Sequence, residues 1–139
     1  MEQNTEYTFD DFVEIVRELR RKCPWDSVQT HISLHTCLEN ESREVLEGIS
    51  ILEETGDGEN LCEELGDVLL QIVLHSIIAQ EEGLFTVEDV ISGISRKMKF
   101  RHPKIFRPED KEAAGMSWDE LKRAEHILRE KLENKDRNA

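Results

Sequence analysis

Apolar residues recur along this chain at helical rather than strand spacing. Phe12, Ile15, Val16 and Leu19 stand three or four apart, and Thr8 ahead of them is a residue type that caps helix N-termini. A first helix is therefore predicted over residues 9–22. Cys23-Pro24-Trp25-Asp26 ends it, because proline lacks the amide hydrogen that a helix interior requires. A long helix is predicted over residues 32–54, with Leu38, Val45, Ile49 and Leu52 along one stripe. Thr55-Gly56-Asp57-Gly58 is a turn signal. The next helix is predicted over residues 60–80, stopping near Gly83, with Leu61, Leu65, Val68, Leu69 and Ile72 as its stripe. Thr86, with Asp89 three residues on, has the form of a capping arrangement for a fourth helix reaching about Phe100. Arg101-His102-Pro103 closes that helix. A loop containing Pro108 and Gly115 leads to Ser117, the predicted cap of a last helix ending near Leu132, and residues 133–139 are expected to fray. These elements predict an all-α helical bundle built on a central antiparallel helix hairpin. A single domain is expected over residues 1–139, with its core at about 9–130.

Composition sharpens the picture in two ways. Charged residues make up 35% of the chain and the formal net charge is -13, which argues against binding a nucleic acid polymer, whose backbone calls for a basic surface. The charge is also unevenly placed. Between Cys23 and Ser95 the only basic side chain besides histidine is Arg43, whereas Arg96, Lys97, Lys99, Arg101, Lys104 and Arg107 follow at once. An acidic centre followed by a basic cluster suits a metal that meets a polyanion. Cys23, Cys37 and Cys62 show neither metal-knuckle spacing nor an even count, and read as reduced, packing cysteines. The N-terminal residues 1–11 are polar and acidic, without the apolar core of a signal segment. The greasiest stretch, residues 68–79, is interrupted by Gln71, His75 and Ser76 and is too short for a bilayer. A soluble, cytoplasmic protein without a membrane partner is expected.

The chemistry is carried by two acidic pairs, Glu41-x-x-Glu44 and Glu64-x-x-Asp67, on the two helices of the hairpin. Residues three apart are neighbours on a helix surface. Glu44 lies roughly eleven residues before the turn and Asp67 roughly nine after it, so at about 1.5 Å per residue they come nearly level. Like charges about 4 Å apart cost on the order of 4 kcal/mol at an effective dielectric of about 20. A cation between them is the natural remedy, and a hard divalent ion prefers oxygen ligands. Two other metal sites fit less well. Residues 53–64 imitate a calcium-binding EF-hand loop, but Glu53, Thr55 and Asn60 stand at the wrong positions. A di-iron carboxylate bundle needs histidine three residues after glutamate on two helices, and neither Glu41 nor Glu64 has one. A hydrolytic site using Mg2+, with Mn2+ as substitute, matches the ligand set best.

A wider pattern carries a family resemblance. Cys23-Pro24-Trp25-Asp26 with Gln29-Thr30-His31, then Glu41-x-x-Glu44, Glu64-Leu65-Gly66-Asp67, Glu81-Glu82-Gly83, Arg101-His102-Pro103 and Trp118-x-x-x-Lys122 occur in this order. From about Phe9 to Glu130 the chain resembles the MazG-type nucleoside triphosphate pyrophosphohydrolases. The resemblance implies an all-α fold, magnesium at Glu41, Glu44, Glu64 and Asp67, and hydrolysis of nucleoside triphosphates to monophosphate and pyrophosphate. It also implies a homodimer or homotetramer and a housecleaning role on non-canonical or excess nucleotides. Water is expected to attack the α-phosphorus, with Glu41 or Glu44 as general base and Glu41 preferred for its place on the core margin. Lys97 and Arg101, four apart on one helix face, are candidates to hold pyrophosphate. The resemblance adds Trp118 and Lys122 to the nucleotide site, and Trp25 is a candidate to stack on the base.

Two departures from the family pattern stand out. Asn40 replaces the first of two adjacent glutamates, offering no charge and no base, and Phe100 stands where an arginine is frequent. Asn40 keeps a second class of function open, a non-catalytic helical module that binds nucleotides or proteins beside a vestigial metal site. The nearly all-round apolar character of residues 68–78 points to burial on all sides, and hence to cover from a second copy.

Overall fold

α1 (Phe9–Lys22) starts where its sequence says it must: the Thr8 hydroxyl accepts the Asp11 amide hydrogen while the Asp11 carboxylate accepts that of Thr8, a reciprocal capping box. A computed structural model describes residues 4–139, so the first three residues of the acidic N-terminal segment lie outside the described residues. Among the described residues the chain is all-α, without a strand. α2 (His35–Thr55) and α3 (Glu59–Glu81) form the hairpin, and α4 (Val87–Arg101), α5 (Pro103–Phe106), α6 (Lys111–Ala114) and α7 (Trp118–Arg137) follow. The chain falls into two compact units, one ending at Val87 and the other spanning Glu88–Ala139.

In the first unit, α1 packs on α3 and α3 on α2. Val13 and Val16 of α1, Leu34, and Val73, Leu74, Ile77 and Ile78 of α3 form the core with Val87. That core sits at the C-terminal half of α3. The segment between α1 and α2 is tied to it by Arg20, which donates to the carbonyls of Asp26 (2.7 Å) and Gln29 (2.8 Å) and pairs with Glu81 at 2.9 Å. The hairpin turn is closed by Gly56 at φ 75°, a left-handed position that glycine adopts without steric cost. The Asp57 carboxylate accepts the amide hydrogen of Glu59 at the start of α3.

Three expectations need correction. α2 begins at His35 rather than Ile32, because Thr30 and Ser33 exchange side-chain-to-amide bonds that hold residues 31–34 in a turn. The loop before α7 contains two single-turn helices, α5 led by Pro103 at its first position and α6 capped by Asp110. α7 continues through Arg137, so the tail is helical rather than frayed. Along the apolar stripe of α2, Leu38, Ile49 and Leu52 are exposed, as a face too broad for its own chain to cover would be, and Gly48 is the helix's one buried residue. α3 divides into a half where Gln71, Val73, Leu74 and residues 76–79 are buried but Ile72 is exposed, and an earlier half where Leu65 and Leu69 are exposed. With α1 covering only one end of the hairpin, the apolar surface at the other end has no cover from its own unit.

In the second unit, the C-terminus of α4 is wrapped by its own neighbours. The Arg107 guanidinium donates to the carbonyls of Lys99 (3.3 Å) and Phe100 (3.2 Å) and lies over the Phe100 ring, and a His102 ring nitrogen sits 2.7 Å from the Met98 carbonyl. Cations at a helix C-terminus meet the carbonyls left without intrahelical partners. Ser117 caps α7 through the Glu120 amide hydrogen at 3.2 Å.

Candidate metal centre

The α2–α3 crossing is close because Gly48 has no side chain. A Cβ there would come within 3.0 Å of both Asn60 Oδ1 and the Leu61 Cα. Glu44 lies one turn before Gly48, and Glu64 about one turn after Leu61, so the crossing carries both acidic pairs towards each other.

Glu41, Glu44, Glu64 and Asp67 each offer a carboxylate oxygen, and these oxygens all lie within 4.8 Å of one another. Glu44 is exposed and the other three are half-buried. Partial removal from water, then the hydrogen bond shared with Glu44 and the charges of Glu44 and Asp67, raise the Glu41 pKa. The same causes, with Glu63 added, push Glu64 up to about 7. Glu41 Oε2 and Glu64 Oε2 are buried with no hydrogen-bond partner. A buried carboxylate oxygen without a donor is costly, and two of them converging in an oxygen-only pocket fit a hard divalent cation. The donor set, all oxygen with no thiolate and no imidazole, could hold a divalent metal ion.

Asn40 stands outside this cluster. It is exposed, and its amide oxygen accepts from Arg43 at 3.4 Å. Of the other residues singled out from sequence, Trp25 belongs to the first unit, and Lys97, Arg101, Trp118 and Lys122 belong to the second. Trp25 is half-exposed in the first unit, and its carbonyl accepts from the Gln29 amide at 2.9 Å. In the second unit Arg101 and Trp118 come together, the guanidinium 5.6 Å from the ring centre, with the His102 ring also 5.6 Å from it. Arg101 is buried, however, and ion-paired with buried Glu125 at 3.6 Å. Lys122 is exposed and lines a shallow hollow of about 310 Å³ with Asp119, Arg123 and His126. Lys97 is half-buried on α4.

Some features escape a reading of the acidic pairs alone. Asn60, one helical turn before Glu64, directs its side-chain amide at Glu64 Oε1 (3.5 Å); the i, i+4 spacing is the signal that marks it. His31 and His75 stack with rings 6° from parallel and Nδ1 atoms 2.8 Å apart. Burial, then the nearby His31, lowers the His75 pKa.

Fold and site together define an all-α protein with a four-carboxylate centre on a helix hairpin. Residues 29–106 match the family model described as the MazG nucleotide pyrophosphohydrolase domain, and the chain belongs to this family. Membership supports a hydrolase of that type. The chain is 46% identical over 124 residues to the Bacillus subtilis protein YabN, covering 86% of this chain and 24% of that one. It is 42% identical over 122 residues to the nucleoside triphosphate pyrophosphohydrolase/pyrophosphatase MazG of Thermotoga maritima, covering 84% of this chain and 45% of the relative. With the Escherichia coli K12 nucleoside triphosphate pyrophosphohydrolase the identity is 34% over 122 residues, at the same coverages of 84% and 45%. The chain thus spans less than half the length of these relatives. Among the described residues, no helix is long and apolar enough to cross a membrane.

Proposed function

We propose that the protein hydrolyses nucleoside triphosphates to the monophosphate and pyrophosphate in a magnesium-dependent reaction, acting on non-canonical or excess nucleotides in the cytoplasm. The observation that carries this reading is the convergence of Glu41, Glu44, Glu64 and Asp67 within 4.8 Å, with buried, unpartnered oxygens on Glu41 and Glu64. These four residues would hold the metal. When bound, a divalent ion supplies positive charge against the triphosphate and makes water a better nucleophile near neutral pH.

The protein's own side chains account for the rest. Glu41, half-buried at the core margin, is the preferred general base. Glu44, the exposed member, is the alternative base. Lys97, Arg101, Trp118 and Lys122 are the proposed nucleotide contacts, the cations for phosphate and Trp118 for stacking. Trp25, half-exposed, is a further candidate to stack on the base. The exposed apolar residues of the hairpin, among them Leu46 (65% exposed) and Leu65 (52%), support a homodimer or homotetramer.

The test is a panel of canonical and modified nucleoside triphosphates with magnesium, in which pyrophosphate is resolved from orthophosphate. Monophosphate and pyrophosphate are expected, abolished by a chelator and restored by Mg2+ or Mn2+. Release of orthophosphate and diphosphate would overturn the reaction assigned, and metal uptake without any turnover would leave a binding module. Light scattering at micromolar concentration checks the assembly, and a fully active monomer would refute it.

A further inference from the structure

Glu64 differs from an isolated carboxylate in having its two oxygens treated differently. Oε2 is buried and has no partner, whereas Oε1 faces the Asn60 side-chain nitrogen at 3.5 Å. Asn60 is half-buried on the first turn of α3, and its other amide atom, Oδ1, is lodged against Gly48 where α2 crosses. A Cβ at position 48 would meet Oδ1 and the Leu61 Cα at 3.0 Å each, so the notch left by Gly48 is what gives the amide its seat. The amide is therefore steadied at both ends, one by the neighbouring helix and the other by a carboxylate of the quartet.

We propose that Asn60 is a positioning residue for the metal centre: seated in the Gly48 notch, it holds Glu64 Oε1 so that Oε2 is aimed at the ion. The inference rests on the quartet being a metal site. An amide suits this role chemically. It donates to a carboxylate without adding charge to a site already crowded with like charges, and at neutral pH it neither gains nor loses a proton. Groups that hydrogen-bond a ligating side chain fix its orientation, and their loss typically costs about 10–100-fold in metal affinity.

Asn60→Leu keeps the volume in the notch and removes the donor. The experiment titrates Mn2+ into metal-free wild type and Asn60→Leu, reading free Mn2+ by electron paramagnetic resonance, alongside metal-free thermal melts of both. The expected result is a loss of metal affinity of about tenfold or more in Asn60→Leu with an unchanged metal-free melt. Asn60→Gln, which keeps the amide on a longer stem, is expected to restore binding towards wild type. An affinity loss of less than tenfold in Asn60→Leu overturns the role of Asn60 while leaving the metal site standing. A loss that comes with a lowered metal-free melt makes Asn60 a structural residue and also overturns the inference, as does Asn60→Gln binding no better than Asn60→Leu. Wild type that takes up no Mn2+ refutes the metal site itself, and the inference with it.

Discussion

Replacing Glu125 by leucine should destabilise the protein by about 3–5 kcal/mol, because it strands a buried guanidinium. Arg101 and Glu125 are each only 7% exposed, and their charged atoms are 3.6 Å apart. At that distance and an effective dielectric of about 20, their attraction is about 5 kcal/mol. Little else near Arg101 would replace it: the Nε has no hydrogen-bond partner, and the Trp118 ring contributes about 0.5–2 kcal/mol as a cation–π partner. Arg101→Met should cost a similar amount by stranding the carboxylate, which would keep only half-exposed Arg129 at 3.7 Å. The double variant Arg101→Met/Glu125→Leu should recover to within about 1 kcal/mol of wild type or exceed it, as buried ion pairs often do when replaced whole. Urea denaturation of the three variants measures this. Single variants losing less than about 1 kcal/mol, or a double variant losing the sum of both, would refute the reasoning. The folded double variant also isolates the proposed second task of Arg101. If its guanidinium holds phosphate, the KM for nucleotide should rise about tenfold, on the scale of a lost charge-assisted hydrogen bond. An unchanged KM would remove Arg101 from the substrate site.

Two further predictions concern pH and act in opposite directions. Glu64 has its pKa raised in the fold from 4.5 to about 7, so the folded state binds the extra proton in that window. Metal-free stability should therefore fall as pH rises from about 4.5 to about 7, and Glu64→Gln or saturating Mg2+ should flatten the slope; thermal melts showing an unchanged slope in Glu64→Gln would contradict this. His75, whose pKa is lowered, is held neutral by the fold, so its contribution is present above its ordinary value near 6.5 and is lost as pH falls below it. Its Nε2 is buried without a partner, while His31 faces its Nδ1 and Glu82 lies 3.6 Å from His31 Nε2. His75→Gln should reduce the loss of stability on acidification below about pH 6.5 in the same melts, and a steeper loss would count against a neutral His75.

The helix ends legible in the sequence are those set by neighbouring residues. Thr8 and Ser117 cap where their type predicts, and Gly56 turns the hairpin at the expected place. The quartet was equally legible, because i, i+3 spacing on two helices joined by a short turn leaves little freedom in where the side chains go. What escaped depends on partners distant in sequence or on competition between local bonds. The Thr30–Ser33 exchange displaced the start of α2 without altering the apolar period that pointed to a helix there. Arg101 reads as a free cation until Glu125 is brought against it. The stripe Leu38, Ile49, Leu52 marks an apolar face correctly, but periodicity does not say whether the chain itself supplies the cover.

Because all four carboxylates lie on adjoining helices, the centre can be assembled without waiting for any remote part of the chain. The Gly56 turn makes a short loop, whose closure costs little entropy compared with a long-range contact. The quartet's repulsion then falls on one of the earliest tertiary contacts available during folding. A divalent ion present at that moment would relieve it, so such an ion would act on the speed of refolding as well as on the stability of the folded state. Gly48, which brings the two helices within reach of each other, makes that early contact possible as well as close.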